Sequence, residues 1–374
     1  MKILPALFYL IVSANVLAQS TPTPPAVAAK AYLLYDFQSQ QVLAADNAEE
    51  RFEPASLTKL MTAYLVFNAL KQKTLKPDQI VTVSRLAWKT EGSRMFIEPS
   101  KPVRVDQLIR GMIVQSGNDA CVALAEAIAG SEESFAQLMN KEARRLGLTN
   151  TNFTNSTGLP HAQHYSTGAD LAKLASALIR DHPEFYPLYS LKEYSYNNIK
   201  QPNRNRLLWS DPSVDGVKTG YTKNAGYCLI SSAQRGERRL VSVVLGAKSP
   251  SSRAAESQKL LNFGFQFYDT VRLYEKGKSV ATLMVWKGSA DKLDAGFDRD
   301  LFFTLPKGQA DKLKATLESH QPLVAPVSAG QRVGTMKIVL EDKLLAEVPV
   351  VALDEVELGS IFVRGWDAIR LLFK

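Results

Sequence analysis

Sulfur and imidazole are scarce in this chain. Two cysteines and four histidines occur among 374 residues, too few for a disulfide framework or a multi-site zinc fold. His161 and His164 lie close together in a Gly/Ser/Thr-rich loop, but not at the spacing of a helical zinc pair. They read as surface or loop-packing residues. Neither His-Glu-x-x-His nor Gly-x-Ser-x-Gly occurs, so no metal and no cofactor is expected, although composition alone leaves a Ser-His-Asp triad open. No basic stripe interleaved with aromatics is present, which argues against nucleic acid as a partner, and no internal repeat is detectable. Cys121 and Cys228 each sit in an apolar stretch and are expected as small buried hydrophobes, with a single bridge left open. Cys121 follows Ser116 closely enough that modification at the site is a further expectation.

The formal net charge is +8 and the apolar fraction 45%. A basic balance favours contact with an anionic surface, the plainer reading being a solvated basic exterior. The N-terminus has Lys2, a short apolar run over residues 3–12 and the small-residue site Val16-Leu17-Ala18. This is the layout of an export signal, too short to span a bilayer, and it places the mature protein outside the cytoplasm.

Against this background three motifs stand out in order: Ser56-Leu57-Thr58-Lys59, Ser116-Gly117-Asn118 and Lys218-Thr219-Gly220. Only the third is unique, so the signal lies in order and context. A serine hydroxyl needs a neighbouring base to become a nucleophile. Lys59, three residues after Ser56, falls on the same helical face. Keeping a lysine neutral at pH 7 costs about 4.6 kcal/mol, which burial or a second positive charge can supply. Lys218 is expected as that fixed cation and Lys59 as the neutral base. Ser116 is placed to pass a proton to a leaving amine, and Asn118 to hold a substrate amide. The N–H groups of Ser56 and Tyr221 are the natural oxyanion donors.

Residues 19–29 are rich in Pro, Thr and Ala and read as a lead-in. A strand–turn–strand is expected over 31–43, and a long helix opening at Pro54. Further helices are expected over 105–114, 118–129, 131–146 and 169–179, and strands over 216–222, 226–234 and 239–247, followed by a helix over 252–267. The pattern predicts an α+β domain, helices with an antiparallel sheet, over residues 19–270. Short strand-like runs at 280–286, 300–304, 332–340 and 345–351 predict a small all-β domain over 271–357. Residues 358–374 form a tail in which 361–374 read as a 14-residue helix, with Ile361, Phe362, Trp366, Ile369, Leu372 and Phe373 sharing one face of about 140°. Such a helix is about 21 Å long, too short to cross a membrane but suited to lie on its surface; the plainer alternative is a terminal helix docked on its own domain.

These residues resemble the low-molecular-weight penicillin-binding proteins that act as D-alanyl-D-alanine carboxypeptidases. The resemblance rests on residues 54–62, on Ser116-Gly117-Asn118-Asp119-Ala120, on Asp215-Gly216-Val217-Lys218-Thr219-Gly220-Tyr221-Thr222 and on Asn155-Ser156-Thr157-Gly158-Leu159-Pro160. The order of export signal (residues 1–18), catalytic domain, β domain and amphipathic tail is also similar. It implies a β-lactamase/transpeptidase-like fold in which Ser56 is acylated by the penultimate D-alanine of a peptidoglycan stem peptide, releasing the terminal D-alanine. It further implies Lys59 as base, Ser116 and Asn118 as relay and clamp, and Lys218, Thr219 and Arg253 as carboxylate binders. β-Lactams would be covalent inhibitors, and the location would be periplasmic, on the inner-membrane surface. Tyr221 follows Lys-Thr-Gly at a position that varies in the family. The nearest alternative, a serine β-lactamase, lacks support from a Glu-x-x-Leu-Asn segment. A transpeptidase and a wall-binding protein with an idle site are further readings.

Overall fold

The strand Arg238–Ala247 shows no alternation of polar and apolar residues, because both of its faces are covered. Val241, Val243 and Leu245 pack into a core shared with the helices on one side. Leu240, Val244 and Ala247 face the helix Pro250–Phe267 on the other. In the computed structural model, which describes residues 22–373, this strand is the centre of a five-stranded antiparallel sheet. The order is Val42–Asp46, Ala31–Asp36, Arg238–Ala247, Gly226–Arg235, Val214–Thr222. The strand carrying Lys218 is therefore an edge strand. The export signal expected over residues 1–18 lies outside the described residues.

The helix Lys59–Lys71 runs through the larger core, burying Leu60, Met61, Tyr64, Val66 and Phe67. Around it stand Asn118–Ala129, Glu132–Arg145 and Gly168–Asp181. The last two are capped by Ser131 and Thr167, whose hydroxyls accept backbone N–H bonds two or three residues into the helix.

Two expected helices take a different form. The segment after Pro54 is a 3-10 turn, Ala55–Thr58, that becomes α-helical only at Lys59. Two neighbours crowd this turn: a Cβ on Gly158 would lie 1.7 Å from the Ala55 carbonyl, and one on Gly220 would lie 3.1 Å from the Pro54 carbonyl. Residues 105–114 do not form one α-helix. Val105–Arg110 widens into a π-turn, Gly111–Gln115, that ends at Ser116 in the left-handed region. Such a turn re-aims the residue that follows it.

Helix Pro250–Phe267 passes directly into the strand Tyr268–Tyr274, which pairs with Leu301–Pro306. A six-stranded sheet follows, with its own core of Leu293, Phe297, Val333, Ile338 and Val350. Three of its strands, Lys292–Gly296, Leu313–Ser319 and Leu323–Val324, were not foreseen; they are short or carry charge at alternate positions. The two parts are fastened by Asp36, whose carboxylate accepts from Arg238 Nε (3.0 Å) and Thr270 Oγ1 (2.6 Å). Ser39 and Thr304 hydroxyls meet at 2.6 Å beside it. The terminal helix is Ile361–Leu371.

Candidate active site

The edge strand and the helical layer leave between them a cavity of about 650 Å³, lined by Ser56, Ser116, Asn118, Thr219, Tyr221 and Arg253 among others. All three motifs thus reach one cleft. Lys59 and Lys218 sit behind its surface, 1% and 3% exposed.

Nζ of Lys59 lies 3.0 Å from Ser56 Oγ, 2.7 Å from Asn118 Oδ1 and 2.6 Å from the Thr157 carbonyl. The last two partners are oxygens that only accept. A neutral amine has two N–H bonds and one lone pair; with both N–H bonds committed there, the lone pair is left to face the Ser56 hydroxyl. Burial drives the Lys59 ammonium down to about 8, with Arg204 pushing the same way and Cys121, Asp119 and Glu132 opposing.

Lys218, expected as the fixed cation, lies buried behind the cleft. Its Nζ donates to Ser116 Oγ (3.0 Å) and to the Thr219 carbonyl (3.0 Å), and no carboxylate pairs with it among the ion pairs of the described residues. Burial, then Lys59, Arg204 and Arg253, hold its ammonium well below the usual lysine range.

Ser116 owes its direction to the left-handed backbone at the end of the π-turn, φ 61° and ψ 34°. Asn118 is more committed than its sequence role implied: besides accepting from Lys59, its amide donates to the Glu91 carbonyl at 2.6 Å. Only its second N–H remains for a substrate. Thr219, Gly220 and Tyr221 line the cleft wall, and the side chain of Tyr221 is exposed. Arg253 enters from the helix behind the sheet, 5% exposed. Its guanidinium donates to the carbonyls of Gly220 (3.2 Å), Cys228 (3.4 Å) and Arg204 (3.4 Å) and to no carboxylate. Burial lowers it to about 10.

Several supporting residues carried no role in the sequence reading. Thr157 offers Lys59 a backbone oxygen, and its loop is tied to the nucleophile helix at three levels. Thr58 Oγ1 meets His164 Nε2 at 2.7 Å, Lys59 meets the Thr157 carbonyl, and Thr62 Oγ1 donates to the Ser156 carbonyl at 2.7 Å. Gly158, at φ +84°, is the signal in that loop that a close approach was needed. Asp119, fully buried, gathers the N–H groups of Met95, Phe96 and Ile97. Glu53 accepts from Thr222 Oγ1 (2.8 Å) and Asn224 Nδ2 (2.9 Å), pinning the end of the edge hairpin near the nucleophile turn.

Among the cysteine and histidine expectations, one is corrected, the modification of Cys121. Cys121 and Cys228 are both buried and free, as expected of small hydrophobes, and the bridge left open does not form. Cys121 is fully buried and its thiol is pushed up to about 12 by that burial, which removes the reactive thiolate that modification at the site would need. Of the surface and loop-packing readings of the histidines, His164 takes the second: it is an interior connector, 3% exposed.

Comparison with known proteins agrees with this geometry. Residues 18–249 match the family model described as D-alanyl-D-alanine carboxypeptidase, and residues 268–358 the one described as penicillin-binding protein 5, C-terminal domain. The D-alanyl-D-alanine carboxypeptidase DacC of Escherichia coli is 44% identical over 376 residues, covering 98% of this chain and 94% of the relative. The crystal structure of penicillin binding protein 5 from Haemophilus influenzae superposes with a TM-score of 0.87 at 42% identity, covering 90% of this chain and 99% of that one. Penicillin-Binding Protein D2 of Listeria monocytogenes, solved in its ampicillin-bound form, has a TM-score of 0.59 at 33% identity, covering 64% of this chain and 98% of that one. These matches favour the carboxypeptidase reading over the β-lactamase one. The chain belongs to the D-alanyl-D-alanine carboxypeptidase family of serine peptidases and is a hydrolase of that activity.

Proposed function

We propose that Ser56 is the nucleophile of this carboxypeptidase and that Lys59 is its base. The observation that carries the reading is the Lys59 amine, buried, depressed to about 8 and 3.0 Å from the Ser56 hydroxyl. Ser56 Oγ attacks the carbonyl carbon of the penultimate D-alanine in a peptidoglycan stem peptide. The hydroxyl proton passes to Lys59 Nζ, and the oxyanion is held by the N–H groups of Ser56 and Tyr221. As the C–N bond breaks, the leaving nitrogen takes the proton that Lys59 received, relayed through Ser116, which Lys218 holds in place, and Lys59 returns to the free amine. Free D-alanine departs, leaving an ester on Ser56. Water, deprotonated by the same lysine, hydrolyses that ester.

Lys218, Thr219 and Arg253 receive the substrate's terminal carboxylate. Arg253 suits the task because its guanidinium has no acidic partner of its own. A β-lactam, whose carboxylate and strained amide occupy the same places, acylates Ser56; the ampicillin-bound Listeria relative supports this.

We further propose export through the N-terminal signal and attachment to a membrane surface through Ile361–Leu371. That helix exposes Phe362 (88%), Ile361 (76%) and Trp366 (64%). No helix among the described residues is long and apolar enough to cross a membrane, so the contact is one of surface burial.

The deciding experiment is D-alanine release from an acylated Lys-D-Ala-D-Ala peptide by the wild type and by Ser56→Ala. Release by the wild type alone is the expected result. Release by both would assign the chemistry to another nucleophile, and release by neither would remove the substrate assignment.

A further inference from the structure

The Arg253 guanidinium is buried, charged and matched only by three long bonds to carbonyl oxygens. Something else must hold it in place when the cleft is empty. Its Cζ lies 5.6 Å from the ring centroid of Tyr227. The Tyr227 ring in turn is stacked against Tyr221, centroids 4.4 Å apart and planes 31° from parallel. The two tyrosines are direct cross-strand partners near the end of the edge hairpin, where facing side chains touch, and both line the cleft with Arg253. Glu53 ties that hairpin end down through Thr222 and Asn224. The three side chains form a ladder: an exposed ring, a half-buried ring and a buried cation.

We infer that the Tyr221–Tyr227 stack is a positioning device for Arg253 and decides how strictly this enzyme demands a free carboxylate at the end of its substrate. The negative face of Tyr227 steadies a guanidinium that has no carboxylate until the substrate brings one. A ring also limits where the guanidinium can go, so it stays aimed into the cleft. Tyr221 acts at one remove, keeping Tyr227 from rotating into solvent. A peptide ending in an amide, or continuing into a further residue, offers Arg253 no charge and gains nothing from the ladder. Both tyrosines are positioning residues here; the backbone N–H of Tyr221 has its separate oxyanion role. The inference rests on the carboxylate-binding role proposed for Arg253.

The test compares an acylated Lys-D-Ala-D-Ala peptide with the same peptide bearing a C-terminal amide. Wild type, Tyr227→Leu, Tyr227→Phe and the exposed-site variant Tyr221→Leu are assayed on both. Tyr227→Leu is expected to raise KM for the free acid about fivefold to tenfold, with kcat changed less than twofold and the amide rate unmoved. Tyr221→Leu should shift KM in the same direction by a smaller factor, and Tyr227→Phe should restore most of it. An equal loss on acid and amide, or a fall in kcat alone, would overturn the inference while leaving the carboxypeptidase reading intact. Failure of the wild type to prefer the acid would overturn the role of Arg253 and the inference together. Because Tyr221 is exposed, its variant tests the stack even where Tyr227→Leu does not fold.

Discussion

Lys59 Nζ stands 3.0 Å from Ser56 Oγ, 2.7 Å from Asn118 Oδ1 and 2.6 Å from the Thr157 carbonyl. Only the uncharged amine can accept the serine proton. With the ammonium lowered to about 8, the competent fraction grows about tenfold per pH unit below that value and levels off above it. Single-turnover acylation of Ser56 by penicillin should therefore rise about tenfold from pH 6 to pH 7 and flatten past pH 8. A rate independent of pH over that range would exclude Lys59 as the base. Lys59→Met should slow acylation by about 10³-fold.

Asn118→Ala removes one acceptor from Lys59 and leaves the Glu91 carbonyl without its 2.6 Å donor. The expected outcome is a loss of about 10²-fold in kcat together with about 1–2 kcal/mol of stability. Steady-state kinetics and urea unfolding would check the two parts separately. A variant that lost stability but kept kcat would show that Asn118 is structural only.

Gly158→Ala places a methyl group 1.7 Å from the Ala55 carbonyl in a backbone conformation, φ +84°, that disfavours side chains. The loop and the nucleophile turn would have to separate, at a cost of about 3 kcal/mol or more. Both the melting temperature and penicillin acylation should fall. Near-normal values for either would mean the loop can yield without moving Ser56.

His164 joins Thr58 to Thr154 in the interior, and burial, with His161 adding to it, lowers its imidazolium to about 4 from an ordinary 6.5. Between those values the unfolded chain binds a proton that the folded chain refuses. Stability from this group is complete above pH 6.5 and declines as the pH falls toward 4. Urea unfolding should lose about 2 kcal/mol through this group between pH 7 and pH 5. His164→Asn should be less stable at pH 7 yet show a shallower decline. Parallel pH profiles for the two proteins would contradict the assignment.

Removing residues 361–374 should move the protein from a membrane-sedimenting fraction to the soluble one with D-alanine release retained. Cosedimentation with vesicles containing anionic lipid measures this directly. Undiminished binding by the shortened chain would place the contact elsewhere.

The site was legible where chemistry is written in neighbouring side chains. Ser56 and Lys59 came from spacing, Ser116, Asn118 and Lys218 from the order and context of the three motifs, Thr219 and Arg253 from the family resemblance, and the fold class from the change of period near Gly216. What stayed hidden was contributed by backbone atoms or by long-range approach. The Thr157 and Glu91 carbonyls leave no mark on residue type, and the π-turn at Gly111–Gln115 shares its composition with any apolar helix. The burial of Lys59 and Lys218 depends on depth, which spacing does not encode. The strands Lys292–Gly296 and Leu313–Ser319 escaped notice because one face of each is wet and charged, while the sheet that pairs them supplies most of their stability.

Asp36 belongs to the central sheet, yet it is also the bolt through which Thr270 and, by way of Ser39, Thr304 are joined to that sheet. At the far end, Asp367 accepts the backbone N–H of Lys287 at 2.7 Å and Arg370 lies over the Trp286 ring. The path from the greasy foot to the nucleophile is thus riveted at both joints. If the terminal helix seats on a membrane as proposed above, a body so assembled would act as a ruler, holding Ser56 at one height over that surface.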